Sequence, residues 1–213
     1  MNFNEQRKRM VETQLVPRGI AGSRVLDAFR KVPRHQYVPV PLKIASYADQ
    51  PLPIGEGQTI SQPYIVALMT ECLMLKGGER VLEVGTGSGY QAAILAEICG
   101  EVYTIEQEKK LLERAKETLA EEGYSNVFFK QGDGTEGWAE EAPFDGIIVT
   151  AAAPEVPEPL KQQLKDGGRL VIPVGTLYSQ ILVALEKRGE EFVREDICGC
   201  IFVPLVGKYG WRR

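Results

Sequence analysis

The stretch VLEVGTGSGY, residues 81–90, joins an apolar strand to a turn with glycine at 85, 87 and 89 and a carboxylate at Glu83. A turn that carries the backbone up to a ligand needs unusual dihedrals and no Cβ in the way, and glycine alone meets both demands cheaply. QAAILAEIC follows with helical spacing of apolar residues, so the context is strand, glycine turn, helix. This is the signature of a nucleotide-like ligand lying across the end of a strand. Dinucleotide-binding turns favour G-x-G-x-x-G. The spacing here, E-x-G-x-G-x-G, is one residue tighter, and the absence of a following Lys-Ser or Lys-Thr pair excludes a Walker-type phosphate loop.

Working outward, the next strand (102–105) ends at Glu106, 17 residues beyond Gly89. An acid at the tip of the second strand is placed to accept hydrogen bonds from ribose hydroxyls. The same residue, with Glu108, equally suits the start of a helix, where carboxylates favour the dipole. After the third strand comes QGDGTEG, in which Asp133 and Gly134 form either an Asp-Gly turn or an acceptor beside bare backbone for an exocyclic amine such as that of adenine.

The wider pattern supports one fold class. Residues 4–16 and 24–32 read as short helices closed by Pro17 and Pro33, with Ser23 as an N-cap. Residues 33–60 are broken by proline and glycine and read as a functional loop without regular elements. Pro63 opens a helix. Strands at 81–84, 102–105, 127–130 and 144–149 alternate with helices at 91–98, 108–122 and 156–165. Four further strands are expected at 169–174, 181–186, 191–197 and 201–205. Such alternation predicts an α/β, doubly wound, Rossmann-like sheet in three α/β/α layers, with N-terminal helices and an antiparallel C-terminal strand extension.

Composition narrows the partners. The chain has 213 residues, 44% hydrophobic and 25% charged, enough for a sizeable core. A net charge of −4 argues against nucleic acid, because Arg7-Lys8-Arg9 and Arg212-Arg213 are the only tight basic clusters and read as solvated chain ends. No apolar run approaches the ~18 residues of a membrane span, and the polar start lacks a signal-peptide core, so a cytoplasmic protein is expected. The four cysteines include no C-x-x-C pair, and Cys198-x-Cys200 reads as buried thiol rather than metal site. The single histidine, His35, rules out a multi-histidine metal cluster and reads as a helix C-cap.

The three strand tips together resemble the S-adenosylmethionine-dependent methyltransferases over residues 78–186. By that resemblance Glu83, Gly85, Thr86, Gly87, Ser88 and Gly89 hold the methionine part, Glu106 the ribose, and Asp133 and Gly134 the adenine, with Gln107 a further cofactor-binding residue. The fourth strand ends FDGIIVTAAAPE, without the Asn/Asp-Pro-Pro-Tyr of amine methyltransferases, and no carboxylate cluster for magnesium is apparent. A substrate already ionised at neutral pH, a carboxylate, needs neither base nor metal. In GQTISQPYIVA, Ser61 lies just ahead of a helix start, where unpaired amides and the dipole suit an anion. Capping of that helix by Ser61 or Gln62 is the plainer reading.

At this level the chain resembles the protein-L-isoaspartate (D-aspartate) O-methyltransferase family. The likeness runs from MVETQL through VPRHQYVP, YADQPLPIGEGQTISQP, LEVGTGSGYQAA, FDGIIVTAA and LKDGGRLVIPVG to FVPLVGKYGW. The resemblance implies one methyltransferase domain over 1–213: N-terminal helices and substrate loop (1–62), cofactor-binding core (63–186) and strand extension (187–213). It implies Ser61 as the catalytic serine, Thr59 and Ile60 closing over the cofactor, residues 42–62 as a lid, and the VPL segment at 203–205 helping to bind substrate or cofactor. The implied donor is S-adenosyl-L-methionine, leaving as S-adenosyl-L-homocysteine, with no metal. The implied acceptors are isoaspartyl proteins and peptides, with no membrane or nucleic-acid partner and a monomeric state. The implied reaction is in-line displacement by an isoaspartyl carboxylate, after which the methyl ester collapses to a succinimide and partly returns to aspartate. A small-molecule carboxylate or hydroxyl methyltransferase, or a non-catalytic adenosyl-binding module, are the alternatives that the motifs leave.

Overall fold

The structure, a computed structural model, describes residues 2–212. Arg213, half of the C-terminal arginine pair, and Met1 lie outside the described residues.

Seven strands form one sheet: β3 (Arg80–Val84), β4 (Glu101–Glu106), β5 (Val127–Gln131), β6 (Phe144–Val149), β7 (Leu164–Gly175), β8 (Gln180–Arg188) and β9 (Glu191–Cys200). A separate hairpin, β1 (Leu52–Gly55) and β2 (Gln58–Ile60), precedes them. The order across the sheet is β5-β4-β3-β6-β7-β8-β9, parallel from β5 to β7 and antiparallel for β8 and β9. The chain winds outward through β3, β4 and β5, then restarts at β6 on the other side of β3. That reversal puts a topological switch point at the carboxyl ends of β3 and β6, where open sheets bind ligands.

Alternation along the strands divides the core into two faces. Leu82, Val84, Tyr103, Ile105, Ile147 and Val149 pack on one face with Phe144 and Leu160. Val81, Val102, Ile148 and Val171 face the other way, toward α2 (Ser23–Lys31), α3 (Pro63–Cys72) and α4 (Tyr90–Ala96). Covering helices on both faces explain why the parallel strands are nearly continuous apolar runs. The N-terminal helix α1 (Phe3–Met10) runs on through a wider turn at Val11–Leu15, which buries Val11 and Leu15 in the same core as the α2 face.

Several expectations need correction. The N-cap of α2 is Gly22, not Ser23, and the amides of Ala21 and Gly22 are satisfied instead by Glu71 Oε1. Residues 33–60 are not structureless: they hold two 3-10 turns, at Arg34–Gln36 and Val40–Ala45, and the β1–β2 hairpin. The hairpin reverses on three positive-φ residues, Gly55, Glu56 and Gly57, a turn in which the glycines adopt αL without strain. The helix expected at 156–165 is only α6 (Glu158–Gln162), because Leu164 already pairs with Phe144 and the chain enters β7. Residues 201–205 form no strand. Pro204 lacks an N–H, and the segment crosses the sheet's end, where Ala152 N donates to Val203 O (2.8 Å) and Leu205 N to Ala152 O (2.7 Å). His35 is not a C-cap: its ring stacks on Phe3 with centroids 4.1 Å apart, and Nδ1 is 2.8 Å from Tyr47 Oη.

Candidate functional site

The glycine turn leaves the end of β3 in the conformation its sequence demands. Gly85, Gly87 and Gly89 have φ of +96°, +54° and +85°. The amides of Gly85 and Thr86 donate to Ile105 O at the tip of β4 (2.9 and 3.3 Å), which folds the turn over the switch point. The Thr150 hydroxyl at the end of β6 donates to Gly85 O (2.7 Å) and would collide with a Cβ at that position. Gly89 faces away from the cleft, and a Cβ there would press on Leu119 and Ala115 of α5 (Lys109–Glu121). The three glycines therefore serve different ends: two shape the lip of a cleft and one lets a helix pack closely.

Glu106 closes β4 and bridges two loops through its carboxylate. Oε2 accepts from Gly87 N and Oε1 from Glu108 N, both at 2.9 Å. An ionised carboxylate offers about four acceptor sites, so the side chain retains capacity toward the cleft it lines. The N-cap of α5 is Glu108, so Glu106 is a strand-tip residue and not the helix start.

A buried polar chain runs behind the turn. Thr86 Oγ1 lies 2.7 Å from Thr104 Oγ1, which in turn donates a short hydrogen bond to Glu83 Oε2. With the Thr104 proton committed to Glu83, Thr86 is the donor of the first link. Glu83 is fully buried, its Oε1 has no hydrogen-bond partner, and no cation pairs with it among the described residues. Burial, opposed by the Thr104 hydrogen bond and reinforced by the charge of Glu106, pushes its carboxyl up to about 8.

The opposite wall comes from the segment between β2 and α3. Gln58, Thr59, Ile60 and Ser61 line the cleft. The carbonyl of Ser61 is held by Arg34 Nη2 at 2.7 Å, and no described residue hydrogen-bonds to its hydroxyl. The first turn of α3 departs from expectation. Gln62 is the N-cap without a side-chain cap bond, Pro63 has no N–H, and the Tyr64 amide is taken by Asp49 Oδ1 (3.0 Å). The positive end of this helix thus already has its anion, Asp49, which also pairs with Arg18 (2.5 Å).

Of the residues singled out from sequence, Thr59, Ile60, Ser61, Gly85, Thr86, Gly87, Ser88, Glu106, Gln107 and Gly134 meet in this one cleft. Glu83, Gly89 and Asp133 lie outside its lining. Asp133 caps the turn Gly134–Glu136, accepting from Thr135 N (2.9 Å) and Oγ1 (2.7 Å), and accepts Lys208 N (2.8 Å) from the C-terminal segment. Sequence reasoning missed Gln91, Thr150 and Ala151, which a rule naming every strand tip at the switch point would have found for the last two. Val203, Pro204 and Leu205, the VPL segment, line the cleft, with Val206 beside them. No group of three or more His, Cys, Asp or Glu side chains is placed to hold a metal ion among the described residues.

Comparison with known proteins covers the whole chain. The sequence profile of a family described as Protein-L-isoaspartate(D-aspartate) O-methyltransferase matches residues 5–210. A protein-L-isoaspartate O-methyltransferase of Geobacter metallireducens is 57% identical over 212 residues, covering 99% of this chain and 98% of that one. One from Dictyoglomus thermophilum is 57% identical over 210 residues, covering 99% and 95%. Among solved structures, a protein-L-isoaspartate O-methyltransferase superposes with a TM-score of 0.87 at 32% identity, covering 96% of this chain and 67% of that one. A Plasmodium falciparum structure described as a putative protein-L-isoaspartate O-methyltransferase in complex with S-adenosyl-L-homocysteine gives 0.82 at 26% identity, covering 97% and 99%.

Proposed function

This chain belongs to the protein-L-isoaspartate(D-aspartate) O-methyltransferase family, and from that premise we infer that its cleft passes a methyl group from S-adenosyl-L-methionine to the free carboxylate of L-isoaspartyl and D-aspartyl residues. The activity is protein repair: the ester formed on a damaged residue leads through a succinimide back toward aspartate. The observation that carries this reading is that one cleft is lined on one side by the glycine turn and Glu106 and on the other by Ser61. Donor and acceptor requirements meet there.

The residues present fit the methyl donor. The Gly85–Ser88 backbone offers a wall without bulky side chains, suited to the methionine part, and Glu106 has acceptor capacity for ribose hydroxyls. Val84, Ile105 and Leu205 add apolar surface, and Gly134 lets the backbone of the third tip close in beside Val84 without a Cβ. We assign Gln107 to the ribose side, Thr59 and Ile60 to the lid, and Glu83, Gly89 and Asp133 to indirect support of the turn and of the C-terminal wall. When bound, S-adenosyl-L-methionine supplies an electrophilic methyl group.

The chain's own task is to bind, orient and exclude water. The isoaspartyl carboxylate is already nucleophilic, so no general base is required. The Ser61 hydroxyl, lacking a protein partner, is the group assigned to orient it. We further propose that the chain acts as a single-domain monomer in the cytoplasm. Support comes from one core that joins Met10 and Phe29 to the sheet, from the charges Glu191, Arg194, Glu195 and Asp196 along the outer strand β9, and from four free cysteines.

Ser61→Ala is expected to lower turnover of an isoaspartyl peptide about tenfold to a hundredfold while leaving the Kd for S-adenosyl-L-homocysteine nearly unchanged, read by methyl-transfer kinetics and calorimetry. Full turnover in this variant would remove Ser61 from the mechanism. Equal labelling of isoaspartyl and aspartyl versions of one peptide would overturn the substrate reading itself.

A further inference from the structure

Arg34 is among the largest fully buried side chains of the molecule. It opens the 3-10 turn after α2, and its guanidinium reaches two distant carbonyls. Nε donates to Ser46 O and Nη2 to Ser61 O, each at 2.7 Å. Its Cζ lies 4.8 Å from the centroid of Tyr90, a buried ring that lines the cleft. No carboxylate contacts it among the described residues, and Nη1 is buried without a hydrogen-bond partner. Burial draws its pKa down to about 10, which leaves it charged at neutral pH.

A buried cation with no carboxylate in contact, Asp49 acting on it only at a distance, is costly, and a neutral donor could tie two loops together at less cost. What the guanidinium adds is a planar fork of charge-assisted hydrogen bonds combined with stacking on an aromatic face. Through that fork it fixes the peptide plane from which the Ser61 side chain projects. Through the stack it fixes Tyr90, at the start of α4 directly after the glycine turn. Arg34 therefore sits behind both walls of the cleft.

We propose that Arg34 is a positioning residue for the acceptor side of the site, setting the pose of Ser61 against the glycine turn through the Ser61 carbonyl and the Tyr90 ring. The inference rests on the reading of Ser61 as the group that orients the substrate carboxylate. It assigns a role in the reaction to VPRHQYVP, a segment outside the cofactor motifs.

The test is a double-mutant cycle between Arg34→Lys and Ser61→Ala, using full-length protein, with an isoaspartyl peptide and S-adenosyl-L-methionine for turnover and S-adenosyl-L-homocysteine for affinity. Lysine keeps the charge and loses the planar fork. The expected result is a fall in kcat/KM for the peptide of about tenfold or more, since small misplacements near the chemistry are expensive. The Kd for S-adenosyl-L-homocysteine should change less than about threefold, and in the Ser61→Ala background the lysine substitution should cost little more, because the two residues act as a unit. Parallel losses of peptide turnover and S-adenosyl-L-homocysteine affinity would overturn the proposal, as would independent, multiplicative effects. Arg34→Gln carries the same comparison if the lysine variant does not fold; failure of both to fold would assign Arg34 to the fold alone. Full turnover by Ser61→Ala would instead sink the Ser61 reading, whereas full turnover by Arg34→Lys beside a crippled Ser61→Ala would sink only this inference.

Discussion

Glu83 shows how one residue can be read correctly in place and incompletely in role. Its position at the end of an apolar strand before the glycine turn was legible, because φ > 0 at Gly85, Gly87 and Gly89 is a local demand written in residue type. Its link to Thr104 was not, since that depends on the parallel register between β3 and β4. Burial raises its titration from the ordinary 4.5 to about 8. Across that window the folded state holds a proton that the unfolded chain has released, so the stability Glu83 contributes is full below the lower value and lost as pH rises through the upper one. Wild-type protein is thus expected to lose stability between these pH values, on the order of a few kcal/mol. Glu83→Gln should flatten that part of the profile in denaturant titrations. An unchanged slope would show that some other group titrates.

At the scale of elements, the alternating strands and helices from β3 to β6 were legible from periodicity, because β3, β4 and β6 are almost fully buried and α5 carries one apolar stripe. Elements that depend on tertiary contact were not. The hairpin, the end of α6 and the crossing segment at 201–205 owe their form to partners outside their own stretch of sequence. The hairpin is the clearest case. Arg114 of α5 donates to Ile54 O (2.7 Å), Lys110 lies 3.4 Å from Glu56, and Ile54 sits where a side chain at Gly87 would touch it. This short element is held over the glycine turn by a helix that follows it by about fifty residues in the chain. Arg114→Ala removes a charge-assisted bond worth about 1.5–3 kcal/mol locally. Amide exchange across residues 52–60 should accelerate, S-adenosyl-L-homocysteine affinity should fall, and the global unfolding midpoint should move little. Unchanged exchange in the hairpin would show that the latch lies elsewhere.

Over the whole molecule, the cleft is assembled from segments as far apart as Gln58 and Val206, so its walls depend on the tips of β3, β4, β5 and β6 being brought together with the C-terminal segment. Asp133 is the knot between the third strand tip and the C-terminal segment, and it has a further consequence for the lifetime of the protein itself. Asp-Gly bonds are where aspartyl chains age most readily, because the following amide nitrogen, beside a residue without a Cβ, can attack the side-chain carbonyl. This chain has three such bonds, at Asp133, Asp145 and Asp166. At Asp133 three donors hold the carboxylate toward Thr135 and Lys208, and at Asp145 the backbone of Gly146 is locked in the centre of the sheet. Asp166 and Gly167 are exposed, and the Gly189 amide is the one described donor to that carboxylate (2.7 Å). After prolonged incubation at physiological temperature, peptide mapping should therefore find isoaspartate first at Asp166, remote from the cleft. On this expectation the hydrogen bonds that tie the third strand tip to the C-terminal segment also slow, beside the candidate site, the kind of lesion that the family repairs in other proteins.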